Sequence, residues 1–346
     1  MLKTIGFAYY VTTFREQKGQ LQTLPLQGNM VFTSLHIAEE YDDAYVEDVK
    51  EMFRLLKKQD TKIIADISKR TLTKFGLSNV HSLIQLLDID LVRLDYGFSD
   101  EETIAIAKEV PLVVNASTID VKLIEKLPKG RVYAMHNFYP RKDTGLDVKQ
   151  LKDMHETLVK HEVKSIAFIP GEKYRGPIFE GLPTLEKHRD MNGYVAALEI
   201  LWNHYAEYVF VGDIGMNFMD YQLLSDTLDD QVIRIPVVNV HELLKPFINQ
   251  VFTNRIDSPS KLIRLQESRE FASQGAIIEA VNTISRDYGS ITIDNKKYLR
   301  YSGEIQITKK DFTADERVNV IGNVHPDYLS ILECITPGTK LMFVEK

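Results

Sequence analysis

Asp66 closes the apolar run Ile63-Ile64-Ala65-Asp66, and Arg93 and Asp95 stand two apart at the end of Leu91-Val92-Arg93-Leu94-Asp95. Residues two apart on a strand share a face. Two carboxylates on neighbouring strand ends suit general acid–base work on a polar substrate, one giving a proton and the other taking one. Asn115 ends a further apolar run, and His136-Asn137-Phe138-Tyr139-Pro140-Arg141 another. Asp213 follows Tyr208–Val211, and Glu180 lies in the long loop before it. Asn115, His136, Asn137, Tyr139, Glu180 and Asp213, with Arg93, are the candidate substrate-binding groups around the pair Asp66 and Asp95. Taken singly, each has a plainer reading. Asp66 before Ser68 serves equally as a helix cap, Asp213 as a turn residue, and His136 as a core histidine. The collection is what points to a site.

A second cluster is basic. Gly171-Glu172-Lys173-Tyr174-Arg175-Gly176-Pro177 combines Lys173 and Arg175 with glycines that let backbone N–H groups approach an anion. Arg141 comes from the neighbouring strand end. Arg141, Lys173 and Arg175 are therefore candidate phosphate ligands. The sequence offers no nucleophile elbow, P-loop or zinc spacing, and its single cysteine, Cys334, forms no internal disulfide. No metal and no organic cofactor is expected.

The elements that must hold these groups alternate. Apolar runs at 4–10, 30–35, 62–67, 91–94, 112–115, 131–137, 165–169 and 208–211 read as strands rich in Val, Ile, Phe and Tyr. Amphipathic stretches at 38–58, 100–108, 119–127, 148–160 and 192–205 read as helices between them. Ser99 before Asp100-Glu101-Glu102 is a good helix cap. Near-continuous apolar strands separated by helices mean a buried parallel sheet, and eight such units are the count of a (β/α)8 TIM barrel. In such barrels function gathers at the C-terminal ends of the strands, and phosphate is commonly held by the loops after strands seven and eight. An open doubly wound sheet is the competitor, but Gly6-Phe7-Ala8-Tyr9-Tyr10-Val11 lacks its glycine-rich turn.

After about residue 230 the pattern becomes short strands broken by turn residues: 232–238, 262–265, 290–293, 297–301, 304–307, 318–321 and 341–344, with a connecting helix at 241–252. This predicts a smaller β-barrel or sandwich, with the barrel spanning 1–235 and the second domain 236–346. The 346 residues carry 42 Lys and Arg against 49 Asp and Glu, a net charge of −7. That balance argues against a nucleic-acid partner. No apolar run reaches the length of a membrane span, and the N-terminus has no signal-peptide pattern, so no membrane partner and a cytoplasmic location are expected.

The motifs together resemble the bacterial 6-phospho-N-acetylmuramidase family. They are Val31-Phe32-Thr33-Ser34-Leu35-His36, Ile64-Ala65-Asp66-Ile67-Ser68, Leu94-Asp95-Tyr96-Gly97-Phe98, His136 to Arg141, and Thr144-Gly145-Leu146. The most specific is Arg175-Gly176-Pro177 followed by Gly181-Leu182-Pro183-Thr184-Leu185-Glu186-Lys187-His188-Arg189. Phe252 to Arg255, Glu267-Ser268-Arg269 and Asp315 to Asn319 continue it into the second domain. The resemblance implies a TIM barrel followed by a cyclophilin-like β-barrel domain. It also implies intracellular hydrolysis of the disaccharide MurNAc-6-phosphate–GlcNAc during peptidoglycan recycling, with that phosphorylated disaccharide as the small-molecule partner. The second domain is expected to complete the pocket, to pair two copies into a homodimer, or only to brace the barrel.

The residues themselves leave other classes open. A phosphosugar isomerase or aldolase shares the barrel, but a Schiff-base aldolase wants a strand-end Lys and none of the eight has one. A non-catalytic sugar-phosphate sensor would use the same pocket. Within the glycosidase reading, Arg93 on the face of Asp95 favours Asp95 as nucleophile or base and leaves Asp66 as acid. Consecutive strands lie about 4.8 Å apart, which favours the short carboxylate spacing of a retaining mechanism. A substrate N-acetyl group acting as nucleophile is the third route.

Overall fold

Eight short strands close on themselves before the chain reaches residue 212: β1 (Ile5–Ala8), β2 (Met30–Ser34), β3 (Lys62–Ile67), β4 (Leu91–Leu94), β5 (Leu112–Asn115), β6 (Val132–Met135), β7 (Lys164–Ile169) and β8 (Tyr208–Val211). The computed structural model describes residues 4–19, 28–37, 41–269 and 277–346. Every neighbouring pair is parallel, and β1 pairs with both β2 and β8, so the sheet is a closed barrel. The expected TIM barrel is present. Between the strands run α1 (Phe14–Gln17), α2 (Tyr45–Lys58), α3 (Lys69–Lys74), α4 (Val80–Leu87), α5 (Asp100–Glu109), α6 (Val121–Ile124), α7 (Val148–Lys160) and α8 (Gly193–Trp202).

Strand alternation sorts the barrel into two cores. Ala8, Met30, Phe32, Ile64, Leu91, Val113, Met135, Ile166, Phe168, Tyr208 and Phe210 point inward and pack together. Leu112, Val114, Val132 and Ala134 take the opposite alternation and pack with Ala107 of α5, Ile124 of α6 and Leu158 of α7. The period of two is the whole explanation. Gly6 is needed in β1 because a Cβ there would lie 2.5 Å from the Phe210 ring, which fills the barrel interior.

The helices start where the sequence indicates. The Ser99 hydroxyl accepts from Glu102 N–H while the Glu102 carboxylate accepts from Ser99 N–H, at 3.2 and 2.8 Å, a reciprocal cap on α5. The helix expected at 38–58 begins at Tyr45; residues 38–40 lie outside the described residues. The one expected at 119–127 shortens to the four residues of α6.

By internal contacts the chain divides into Met1–Phe218 and Met219–Lys346. The second unit holds nearly all of α9 (Phe218–Asp230), then β9 (Ile233–Val238), β10 (Val251–Thr253), β11 (Leu262–Arg264), β12 (Ser290–Asp294), β13 (Ile305–Thr308), β14 (Val318–Val324) and β15 (Lys340–Glu345). They form one curled seven-stranded sheet, ordered β10-β15-β9-β14-β12-β13-β11, a half-barrel in the place of the smaller β-barrel or sandwich expected after the TIM barrel. Two expected elements differ. Residues 297–301 belong to a 3₁₀ turn rather than a strand, because Asn295 caps it and Leu299 takes φ 54°. The helix expected at 241–252 is a short 3₁₀ turn, Lys245–Phe247, and β10 begins at Val251.

Asp294 ends β12 and Glu304 precedes β13, both buried. Burial and the Glu304 charge push the Asp294 carboxyl up to about 7. A carboxyl whose folded value lies above its unfolded value of about 3.9 binds its proton more tightly in the fold. Stability is then full below that unfolded value and falls as pH rises to about 7, by up to about 4 kcal/mol. Urea unfolding should show the wild type weaker at pH 8 than at pH 5, and Asp294→Asn should remove most of that difference. An unchanged difference in the variant would assign the pH dependence to other groups.

Candidate active site

The inward alternation continues past the apolar layers into polar residues at the C-terminal rim. Above Met30 and Phe32 of β2 comes Ser34, then His36. Above Ile64 of β3 comes Asp66; above Leu91 of β4 come Arg93 and Asp95; above Val113 of β5 comes Asn115; and beyond Met135 of β6 comes Asn137. Register brings them level: Ser34 pairs with Asp66 across β2–β3, and Asp66 with Arg93 across β3–β4. These side chains line a cavity of about 340 Å³ together with Phe32, Ile37, Met135, Phe138, Tyr139 and Phe168. That is the lower end of small-molecule sites, roughly 300–1,000 Å³. Phe138 and Phe32 meet Phe168 edge-on, with centroids 5.2 and 5.6 Å apart, and give the cavity an aromatic floor.

The polar groups are knitted together. Arg93 donates from Nη1 to Asp66 Oδ2 at 2.8 Å and from Nη2 to Asn137 Oδ1 at 3.0 Å. Asn115 donates to the same Asn137 oxygen at 3.3 Å. The His36 imidazole stands between the two carboxylates, with Nδ1 3.2 Å from Asp66 Oδ2 and Nε2 3.3 Å from Asp95 Oδ2. Ser34 Oγ lies 3.0 Å from His36 Nδ1. Asp66 is 2% exposed, whereas the Asp95 side chain keeps 30% of its surface. Asp66 Oδ1 and Arg93 Nε are buried and have no hydrogen-bond partner among the described residues. Buried polar atoms are ordinarily satisfied, so such atoms at a cavity mark where a ligand bonds.

Asp66, Arg93, Asp95, Asn115, Asn137 and Tyr139 thus gather in one place. Arg93 serves Asp66 rather than Asp95, contrary to the pairing expected from the shared strand face, because the β3–β4 register sets Arg93 beside Asp66. His36 and Ser34 were not among the expected site residues. His136 borders the cavity, but it shares the outward alternation of Val132 and Ala134. Its ring is fully buried, burial with His155 nearby lowers it to about 4, and neither ring nitrogen has a hydrogen-bond partner among the described residues.

The remaining expected residues are not among those lining the cavity. Asp213 is 1% exposed and accepts backbone N–H bonds from Gly171, Arg175 and Leu182 at 3.2, 2.9 and 2.9 Å. It organises the loop after β7 through these three bonds. Gly171 permits this, since a Cβ there would lie 2.6 Å from the Gly215 carbonyl oxygen. Glu180 accepts from Lys142 N–H at 3.2 Å, which ties it to the loop after β6. Arg189 joins the same two loops: its guanidinium donates to the carbonyls of Tyr139, Arg141, Glu180 and Gly181 and to Glu186. Arg175 lies 3.6 Å above the Tyr10 ring, while Lys173 and Arg141 are exposed on the rim.

A larger groove, about 960 Å³, runs along the outer wall at α3, α4 and α5. Its ionisable residues are paired off, Lys69 with Glu102 and His81 with Glu109 at 3.0 and 3.3 Å, and they converge on no common point. Size does not mark the chemistry here. Among the described residues no group of His, Cys, Asp and Glu is placed to hold a metal ion, and no helix is long and apolar enough to cross a membrane.

The chain is similar over almost its whole length to two solved structures. One is a conserved Enterococcus faecalis protein of unknown function, 29% identical, with a TM-score of 0.85, covering 99% of this chain and 97% of that one. The other is an uncharacterised B. cereus protein, 23% identical, with a TM-score of 0.81 and full coverage of both chains. The second likeness shows the fold alone. No curated protein matches by sequence. Two family models do match: 6-phospho-N-acetylmuramidase, N-terminal, over residues 5–226, and 6-phospho-N-acetylmuramidase, C-terminal, over residues 232–344. With both halves matched in order, the chain belongs to the 6-phospho-N-acetylmuramidase family.

Proposed function

We propose that the protein is a glycosidase that cleaves MurNAc-6-phosphate–GlcNAc in cytoplasmic peptidoglycan recycling, with Asp95 as acid and Asp66 as base. One observation carries this reading. Asp66 lines the cavity, its buried Oδ1 has no partner among the described residues, and its other oxygen is fixed by Arg93 and His36. A base needs one lone pair aimed at its water and the rest of the group immobilised. Asp95, half-exposed at the rim, is the group positioned to meet a leaving sugar.

In the step proposed, Asp95 gives its proton to the glycosidic oxygen as the bond to the anomeric carbon breaks. Water adds to that carbon and its proton passes to Asp66. The acid–base order is the reverse of that expected from sequence, because Arg93 bonds to Asp66. The stereochemical expectation changes too. An imidazole ring between two carboxylates sets them further apart than the about 5–5.5 Å of retaining enzymes and toward the roughly 6.5–9.5 Å that admits a water. Inversion is the expected course.

The 6-phosphate is assigned to the rim, where Arg141, Lys173 and Arg175 lie on the loops after β6 and β7. A charge-assisted bond contributes about 1.5–3 kcal/mol, roughly ten- to a hundredfold.

The purified protein should hydrolyse MurNAc-6-phosphate–GlcNAc in the presence of chelator, and a proton spectrum should show the inverted anomer first. Arg141→Ala or Arg175→Ala should weaken the phosphorylated substrate ten- to a hundredfold more than its unphosphorylated analogue. Binding without turnover would leave a sugar-phosphate sensor. Activity restored only by a divalent ion would overturn the mechanism.

A further inference from the structure

His36 has no role in the two-carboxylate scheme, yet it touches both carboxylates. It follows β2 on the same inward alternation as Phe32 and Ser34. Its ring is bounded by Ser34 from β2, Asp66 from β3, and Arg93 and Asp95 from β4, with the Tyr96 ring edge-on at 6.3 Å. Each ring nitrogen faces a carboxylate oxygen. A neutral ring with Nε2–H would donate to Asp95 and accept from Ser34 Oγ but would face Asp66 lone pair to lone pair; only the imidazolium donates to both carboxylates.

We propose that His36 is the proton donor that recharges Asp95 and is itself held as imidazolium by Asp66, so that the three side chains titrate as one unit. This rests on the glycosidase reading above and extends it.

The transfer balances. Imidazolium Nε2–H gives its proton to Asp95 Oδ2, leaving neutral imidazole and a carboxylic acid. That acid protonates the glycosidic oxygen. The ring keeps its Nδ1–H and regains its second proton at Nε2 from solvent, the proton that the attacking water leaves on Asp66 is released to solvent, and the unit returns to its starting state with one water consumed.

Two features support the direction of flow. Asp66 lies deepest, fixed through Oδ2 by Arg93 and His36. Asp95 is the more open end, where a leaving group arrives. The two carboxylates raise the His36 ring above its ordinary value although burial and Arg93 oppose them. The imidazolium is therefore held to higher pH than a free histidine and is lost as pH rises through that raised value, taking the supply of protons to Asp95 with it.

The test has two arms. In the first, His36→Gln is compared with wild type on the natural disaccharide and on an aryl glycoside whose leaving group needs little protonation. The variant should lose about a hundredfold at pH 7 and much less at pH 5, where protons from solvent replace those His36 supplies. Its loss on the aryl glycoside should be at least tenfold smaller. A loss equal at both pH values and on both substrates would make His36 a packing residue and overturn the proposal. The second arm needs no turnover. An NMR titration of the histidine rings should show one ring titrating above the ordinary value in wild type and dropping in Asp95→Asn and in Asp66→Asn. A ring indifferent to both replacements would refute the coupling. If wild type leaves the disaccharide intact, the glycosidase reading fails while the titration still decides whether the three groups are linked.

Discussion

An Asp66→Asn enzyme should keep its fold at some cost in stability and lose about 10²–10⁴-fold in turnover, the range that a general base contributes. The shape survives because an amide matches a carboxylate: its carbonyl oxygen stands where Oδ2 now accepts from Arg93 at 2.8 Å. What changes is the other position. Oδ1, buried and without a partner among the described residues, becomes an NH2 that donates where a water must donate. Chemistry is lost while substrate binding through the rim is retained, so the fall should appear in kcat more than in KM. Near wild-type turnover by a folded variant would remove Asp66 from the mechanism, and the geometry would then have to be rebuilt around Asp95 and His36 alone. Asp95→Asn should differ in kind, losing less on a substrate whose leaving group departs without a proton.

How much of this was legible from residues depends on which interaction is asked about. The strands and the polar residues at their ends follow from local pattern, since period-two burial fixes which side chains point inward. Asp66, Arg93, Asp95, Asn115 and Asn137 were visible for that reason. His36 carried the same signal, two residues beyond Ser34 and four beyond Phe32, but it lies past the apolar run and so falls outside a search confined to strand ends. His136 shows the same rule read the other way. It is one residue from Met135 and therefore belongs to the helix side. The partner of Arg93 was not legible at all. Sequence spacing puts Arg93 and Asp95 on one face, and only the register across β3 and β4 sets Arg93 beside Asp66. The roles of Asp213 and Glu180 needed tertiary contact too. A carboxylate ending a loop looks the same in sequence whether its oxygens meet a substrate or backbone N–H groups 38 and 42 residues away. The turn at 297–301 reads as a strand because its aromatic composition suits one; the Asn295 cap decides otherwise.

The Arg93–Asp66 pair should matter as much to stability as to chemistry. Both groups are buried, 7% and 2% exposed, and removing one member of a buried pair leaves the other charge without compensation. Arg93→Met keeps the length and apolar stem of the side chain and deletes the guanidinium. It should cost about 3–5 kcal/mol, a large part of the roughly 5–15 kcal/mol that holds a typical protein folded. Asn137 loses a donor in the same change, since its Oδ1 accepts from Arg93 at 3.0 Å and keeps only Asn115 at 3.3 Å. The deficit has a definite pH dependence. An unpaired buried carboxylate sheds its penalty by taking a proton, so the gap between variant and wild type should narrow as pH falls below the carboxylate range. It should narrow at neutral pH as well when Asp66→Asn is added, because the stranded charge is then gone. A double-mutant cycle read by urea unfolding measures this directly. If the penalties of Asp66→Asn and Arg93→Met simply add, the pair is not coupled. Arg93 would then be a group for the substrate and not the clamp that fixes Asp66.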